Sequence, residues 1–275
     1  MLDGILVIDK PSGITSHDVI NTVRKKLHTR KVGHTGTLDP LATGVLIVCV
    51  EKATKLVEYL TAERKIYEVS AKFGIKTDTG DITGSIIKED QNVIIDSNML
   101  NNVIKNFVGK QKQIPPMYSA IKINGKKLYE LAREGIEIER QARDIEIYDI
   151  NNISQDKDIL KFSVACSKGT YIRTLCEDIA EKLGTVATMI NLKRIKNGNF
   201  DIQNAIDLDL ISEEKIIPIE KLFDKEIDVT NDLKKLLNGI DIVVEKPDGL
   251  YKLYTDKFIG IGRVNRNILK REIIL

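Results

Sequence analysis

The run GHTGTLDPLATG at residues 33–44 holds three glycines, a proline, a histidine and a single carboxylate, Asp39, and it stops where an apolar strand begins. Pro40 pushes the residue before it out of the α region, so Asp39 stands in extended loop backbone rather than inside a helix. Gly33, Gly36 and Gly44 admit backbone angles and close approaches that other residues forbid, which makes the loop shaped rather than slack. The plainest explanation is that Asp39 caps a short helix opening at Pro40. His34 and Thr35 share the loop, however, and a buried strand follows at once; functional side chains gather on loops held by rigid elements. A carboxylate sunk in such a loop needs a cation, because burying it unpaired is costly and raises its pKa.

The best candidate for that cation is distant in sequence. In KGTYIRTLCEDI, residues 168–179, Thr170 reads as a helix N-cap and Arg173 falls in the first turn, where a positive charge opposes the helix dipole. Glu177 could pair with it locally, but Arg ahead of Glu is the weaker orientation. A local rule broken without local compensation points to a partner elsewhere. Two reaction classes use a lone aspartate in this way. Aspartyl phosphotransferases require a second acid two residues on, and Leu41 stands there instead. A glycosidase-like reaction, in which the aspartate attacks or stabilises an electron-poor sugar or base, needs no metal or cofactor. No phosphate-cradling glycine motif, paired-histidine zinc motif or nucleophile elbow is present.

The elements that must position these residues follow from periodicity. GILVIDKPSG reads as a short buried strand and turn, and Ser16 as the N-cap of a helix burying Val19, Ile20, Val23 and Leu27, with Asp18 in its first turn. VLIVCV, residues 45–50, reads as a strand buried on both faces, and Leu56, Val57 and Leu60 as a further helix. IYEVSAKF, residues 66–73, alternates, with Tyr67, Val69, Ala71 and Phe73 on one side. Helices are expected around 100–107, from Leu128 to Gly135, and from Thr170 onward; strands around Ile145–Ile147 and Leu160–Cys166; and a bend at Asn197-Gly198. Strands and helices mix without a strict βαβ rhythm, so the expected class is α+β, with a mixed, largely antiparallel central sheet flanked by helices. From about residue 226 short glycine-punctuated strands take over, which divides the chain into a main domain, 1–225, and a small β module, 226–275.

The 275 residues are 42% hydrophobic and 30% charged, an ordinary globular balance, and the net charge of +2 announces no polyanion partner by itself. Its distribution says more: RKKLHTRK, residues 24–31, carries five Lys or Arg and no acid. Cys49, Cys166 and Cys176 lie far apart in apolar runs and read as buried free thiols in a reducing compartment. With no apolar stretch of about 18 residues and no secretory signal, the expected location is the cytoplasm.

GHTGTLDPLATGVL closely resembles the catalytic motif of the bacterial tRNA pseudouridine-55 synthases, the TruB-type pseudouridine synthase family. So do GILVIDKPSGITSHD, KIYEVSAKFGIKTDTGD, QIPPMYSAIKINGKKLYELAREG and CSKGTYIRTLCEDIAEKLG, all in the family's order and spanning roughly residues 4–200. The resemblance implies a pseudouridine synthase fold with a small PUA-like RNA-binding module at 226–275. It also implies an isomerase that turns the uridine at position 55, in the T-arm loop of tRNA, into pseudouridine without a cofactor. Residue by residue, Asp39 matches the family's catalytic aspartate and Arg173 its paired arginine. Tyr67 matches the tyrosine that stacks on the target base and is a candidate for proton removal. Tyr171 and Leu192 match residues lining the base pocket, and His34 the histidine that pushes into the RNA loop. Lys10 and Pro11 match a supporting loop. The implied partner is the T-arm stem-loop of tRNA, with no metal, no membrane and no obligate protein partner; the run at 24–31 and the lysines of 110–127 are expected phosphate contacts.

Overall fold

The computed structural model describes residues 2–61, 64–123 and 125–275. Its main body is a ten-stranded sheet. Eight of the strands are Gly4–Lys10 (β1), Thr43–Val50 (β3), Lys65–Phe73 (β4), Gly109–Gln113 (β5), Arg143–Asp156 (β6), Ile159–Cys166 (β7), Ala187–Asn197 (β8) and Ile217–Pro218 (β9). They follow one path, in the order β9-β1-β3-β8-β4-β7-β6-β5. Val32–His34 (β2) pairs with β3, and Phe200–Asp201 folds back on β8 across the predicted Asn197-Gly198 bend. Among the described residues, every strand ladder of this sheet is antiparallel except one: β3 and β8 run parallel where Thr43 meets Lys193 and Gly44 meets Arg194. The expected α+β, largely antiparallel architecture is what the chain adopts.

The double-sided burial predicted for residues 45–50 has a direct cause. Leu6, Ile8, Leu46 and Val48 point to one face, into a core shared with Val19, Ile20 and Val23 of Ser16–Lys26 (α1) and Leu175 and Ile179 of Ile172–Lys182 (α2). Their neighbours Ile5, Val7, Val45, Ile47 and Cys49 point to the other face and pack on Ala53, Leu56 and Ile219. Strands covered on both faces lose the polar half of their alternation. At β4, by contrast, Tyr67, Val69, Ala71 and Phe73 are buried while the residues between them are more open, as the alternation predicted.

Two caps differ from expectation by one residue. Thr15, not Ser16, is the N-cap of α1: its hydroxyl accepts from the Asp18 amide at 3.1 Å, and the Asp18 carboxylate accepts from the Thr15 amide at 2.8 Å. This reciprocal box satisfies two otherwise orphaned amides. At α2 the cap is Tyr171 rather than Thr170, whose hydroxyl donates to the Ser167 carbonyl instead. The predicted helix at 56–60 is split into a 3-10 turn, Glu51–Leu56, and a short α-helix, Val57–Thr61.

The second sheet begins at residue 226 and orders its five strands as Glu226–Asp228, Gly249–Tyr254, Phe258–Asn265, Ile268–Ile274 and Ile242–Val243. One face closes over Ile227, Leu236, Leu253, Val264 and Leu269. Ile261 and Ile273 turn the other way, into the cluster formed by β1 and β3. The C-terminal sheet therefore completes the core behind the main sheet instead of hanging from it.

Candidate active site

Asp39 lies in the connection between β2 and β3, and no helix opens at Pro40. The Ala42 amide donates to the Asp39 carbonyl at 3.1 Å, so the segment is a turn. Its carboxylate meets the guanidinium of Arg173, 134 residues away, in a two-point contact: Nε to Oδ2 at 2.9 Å and Nη2 to Oδ1 at 3.3 Å. The Arg173 side chain is 5% exposed and that of Asp39 32%, so the guanidinium is sunk in the protein and the carboxylate is the member of the pair that meets solvent. Arg173 spends its other donors on backbone: Nη1 donates to the Thr79 carbonyl at 2.7 Å and Nη2 to that of Tyr118 at 2.8 Å. Both acceptors sit in the irregular segments that follow β4 and β5. Glu177, the local alternative, pairs with Lys76 at 3.6 Å. The cation set against the dipole of α2 thus has its carboxylate on a remote loop.

Four buried groups fix the loop that carries Asp39. The Ser16 hydroxyl accepts from the Leu38 amide at 2.9 Å and donates to the Leu38 carbonyl at 3.1 Å. Arg194 donates from Nε to the Val45 carbonyl at 2.6 Å and from Nη2 to the Gly36 carbonyl at 3.1 Å. The Asn197 amide donates to the Thr35 hydroxyl at 3.2 Å. The Lys10 ammonium donates to the carbonyls of Pro11, Ile14 and Pro40 at 2.8, 2.7 and 3.3 Å, which gives the expected supporting loop its physical form. Gly44 is required at the loop's end: its φ is +98°, and a Cβ there would lie 2.2 Å from the Arg194 carbonyl oxygen.

Charge around the pair is finely opposed. Burial pushes the Asp39 carboxyl above the usual aspartate range; Arg173 pulls it back, Asp81 pushes it further and Lys10 pulls it down. Burial lowers Lys10 to about 8, with Asp39 acting to keep it charged. Asp81 is itself held by the hydroxyls of Thr79 and Thr83 at 3.0 and 2.5 Å.

The other expected site residues surround this pair to different degrees. Tyr67 of β4 is buried directly across the ladder from Arg194, whose guanidinium carbon lies 6.0 Å from the ring centroid. Burial raises its phenol, with Arg194 opposing, so the neutral form prevails. Leu192, two residues along β8, is buried opposite Val69 on the same face. Tyr171 opens α2, half-buried, its backbone gripped by the Gln113 side chain: the Tyr171 amide donates to Oε1 at 2.7 Å and Nε2 donates to its carbonyl at 3.0 Å. His34 ends β2, half-buried, with its Nδ1 buried and without a hydrogen-bond partner; burial, then Arg194, lower its pKa, so it is neutral near pH 7. Asp39 and Arg173 are joined directly, whereas Tyr67, Leu192, Tyr171 and His34 stand on neighbouring elements. Sequence reasoning missed Arg194, Asn197, Gln113 and the true role of Ser16. One signal was present, since Arg194 falls two residues after Leu192 and thus on the buried side of its strand. Among the described residues no group of three or more His, Cys, Asp or Glu is placed to hold a metal ion.

Comparison with known proteins bears on what this geometry is for. A model of the TruB family pseudouridylate synthase N-terminal domain matches residues 24–172, and one of the tRNA pseudouridylate synthase B C-terminal domain matches residues 173–245. A tRNA pseudouridine synthase B of Clostridium kluyveri is 47% identical over 276 residues, covering 95% of each chain. One of Clostridium perfringens is 44% identical over 291 residues, covering 100% of this chain and 99% of that one. Among solved structures, an H/ACA RNP bound to a substrate RNA containing 2'-deoxyuridine superposes with a TM-score of 0.69 at 24% identity, over 96% of this chain and 78% of that one, a likeness of fold. With its motifs, its sheet and these matches in agreement, the chain belongs to the TruB family of pseudouridylate synthases.

Proposed function

We propose that this chain isomerises the uridine at position 55, in the T-arm loop of tRNA, to pseudouridine, with Asp39 as the catalytic group. The observation that carries the reading is the Asp39–Arg173 contact at 2.9 Å, with the guanidinium buried and the carboxylate partly open. There Arg173 opposes the burial that raises the Asp39 carboxyl, and Tyr67, on which a pyrimidine can stack, stands close enough for the Asp39 charge to act on its phenol. The target nucleotide must leave its stack, at a cost of a few kcal/mol. His34, neutral and half-buried at the end of β2, is suited to fill the vacancy. Tyr67 recovers roughly 1–3 kcal/mol by stacking on the everted base. Leu192 and Tyr171 complete the walls. Asp39 engages the nucleotide while the bond between base and sugar breaks; the base turns and is rejoined through a ring carbon.

Binding is supplied elsewhere. Lys25, Lys26, Arg30 and Lys31 are exposed, and no carboxylate pairs with them among the described residues. We assign them to tRNA phosphates, and residues 226–275 to a PUA-like RNA-binding module. Recognition then rests on the shape of the loop and its splayed bases, as is usual for RNA. No described helix is long and apolar enough to cross a membrane, and three buried free cysteines accord with a cytoplasmic enzyme. The test is to incubate the protein with unmodified tRNA transcript and map the altered uridine. Pseudouridine at position 55 is expected. Tight binding without any isomerisation would replace this reading with that of a non-catalytic RNA-binding protein.

A further inference from the structure

Arg194 is 1% exposed, is among the largest fully buried side chains of the molecule, and has no carboxylate partner among the described residues. A buried guanidinium without a counter-ion is expensive, and replacing it with an apolar side chain of similar size would ordinarily stabilise a core. Its position accounts for its presence. It lies at the single parallel junction of the main sheet, opposite Gly44 on one side and Tyr67 on the other. Its fork spans the loop of Asp39, bonding the Gly36 carbonyl before the aspartate and the Val45 carbonyl after it. Its guanidinium faces the Tyr67 ring, and a bulge in β8 follows immediately, between Arg194 and Lys196. Bulges of this kind re-aim side chains beside functional sites.

We propose that Arg194 is a positioning residue that locks the Asp39 loop and the Tyr67 ring into one rigid unit, so that the carboxylate and the stacking surface meet the everted base in fixed register. The inference rests on the assignment of Asp39 and Tyr67 given above. A planar guanidinium can hold two carbonyls in different directions and still present a face to the ring; an ammonium cannot do all three. The charged and titratable groups around it are Tyr67 and Lys65 on β4, His34 on β2, Lys10 on β1 and Cys166 on β7; the Lys65 chain and the Arg194 guanidinium both reach the surroundings of Gly36. None of them is a permanent anion, so the charge of Arg194 is left to act on the tyrosine and on whatever enters the site.

The experiment compares wild type, Arg194→Lys and Arg194→Gln by single-turnover conversion of tRNA transcript, by tRNA affinity and by melting temperature. Fluorotyrosine placed at position 67 is read by fluorine NMR in each. For Arg194→Lys we expect a single-turnover rate lower by roughly tenfold or more with tRNA affinity within about threefold, the pattern of impaired positioning at intact binding. The fluorine resonance should shift or broaden as well. Wild-type rate in both variants would overturn the proposal, as would a slower rate that merely tracks weaker binding, or an unmoved resonance. Failure of both variants to fold would also overturn it, by making Arg194 a residue of the fold rather than of the site. Inactivity of the wild type would instead refute the proposed function, so the two failures are distinguishable.

Discussion

At the scale of the residue, the site holds an acid whose folded pKa is raised and a lysine whose folded pKa is lowered to about 8. The folded chain therefore binds the Asp39 proton more tightly than the unfolded chain does. Ionised Asp39 costs stability at every pH above its raised pKa, and that cost disappears below the ordinary value of 3.8. Lys10 has the opposite sign: its charged form costs stability below about 8, and the cost fades as pH climbs toward 10.5. On the proposed mechanism, the ionised form of Asp39 that reacts is the one that costs the fold stability. The single-turnover rate should rise with pH through the raised pKa of Asp39 and fall again near 8, where Lys10 loses its proton and its hold on the Pro40 carbonyl weakens. A rate independent of pH across that range would contradict this electrostatic picture. The pairing of Asp39 with Arg173 was legible in the sequence because Arg173 broke a local rule, a cation at the wrong end of a helix, while Asp39 stood in a glycine-shaped loop that would need a cation. Asn197 was not, and Arg194 only through its spacing from Leu192, because a polar residue in an alternating strand looks solvated until its neighbours are known.

At the scale of the element, the site is set by how loops are tied to strands. Ser16 shows this most simply. Thr15 takes the capping duty, which frees the Ser16 hydroxyl to make both bonds to Leu38, next to Asp39. Ser16→Ala should lower stability by about 1–2 kcal/mol, since two hydrogen bonds go and the Leu38 amide is left buried. It should slow isomerisation while tRNA affinity stays unchanged, measured by melting and by single-turnover assay. Wild-type stability and rate together would mean that the loop is held without it. The helix itself was readable from its apolar stripe, but the choice between adjacent Thr and Ser as cap was not. Either hydroxyl can cap, and only the tertiary position of Leu38 decides which is needed there.

At the scale of the whole molecule, the proposed function separates two surfaces: the Asp39–Arg173 site, to which it assigns the chemistry, and an exposed basic stretch at the end of α1 and beyond, to which it assigns phosphate binding. Replacing Lys25, Lys26, Arg30 and Lys31 with Glu should weaken tRNA binding and flatten its salt dependence, by roughly 0.7–0.9 in the log–log slope for each phosphate no longer neutralised. The rate at saturating enzyme should be preserved. An unchanged salt slope would remove this stretch from the interface. The α+β class and the start of the second sheet at residue 226 could be read from patterning alone. Its docking could not: Ile261 and Ile273 look like any strand residues until β1 and β3 are seen to need cover on their second face.

The most direct test of the account is Asp39→Asn, which keeps the shape of the side chain and an acceptor for Arg173 while removing the charge. The protein should remain folded, bind tRNA with near wild-type affinity and form no pseudouridine when the product is mapped. Turnover that persists in the folded variant would exclude Asp39 from the chemistry and contradict the central claim.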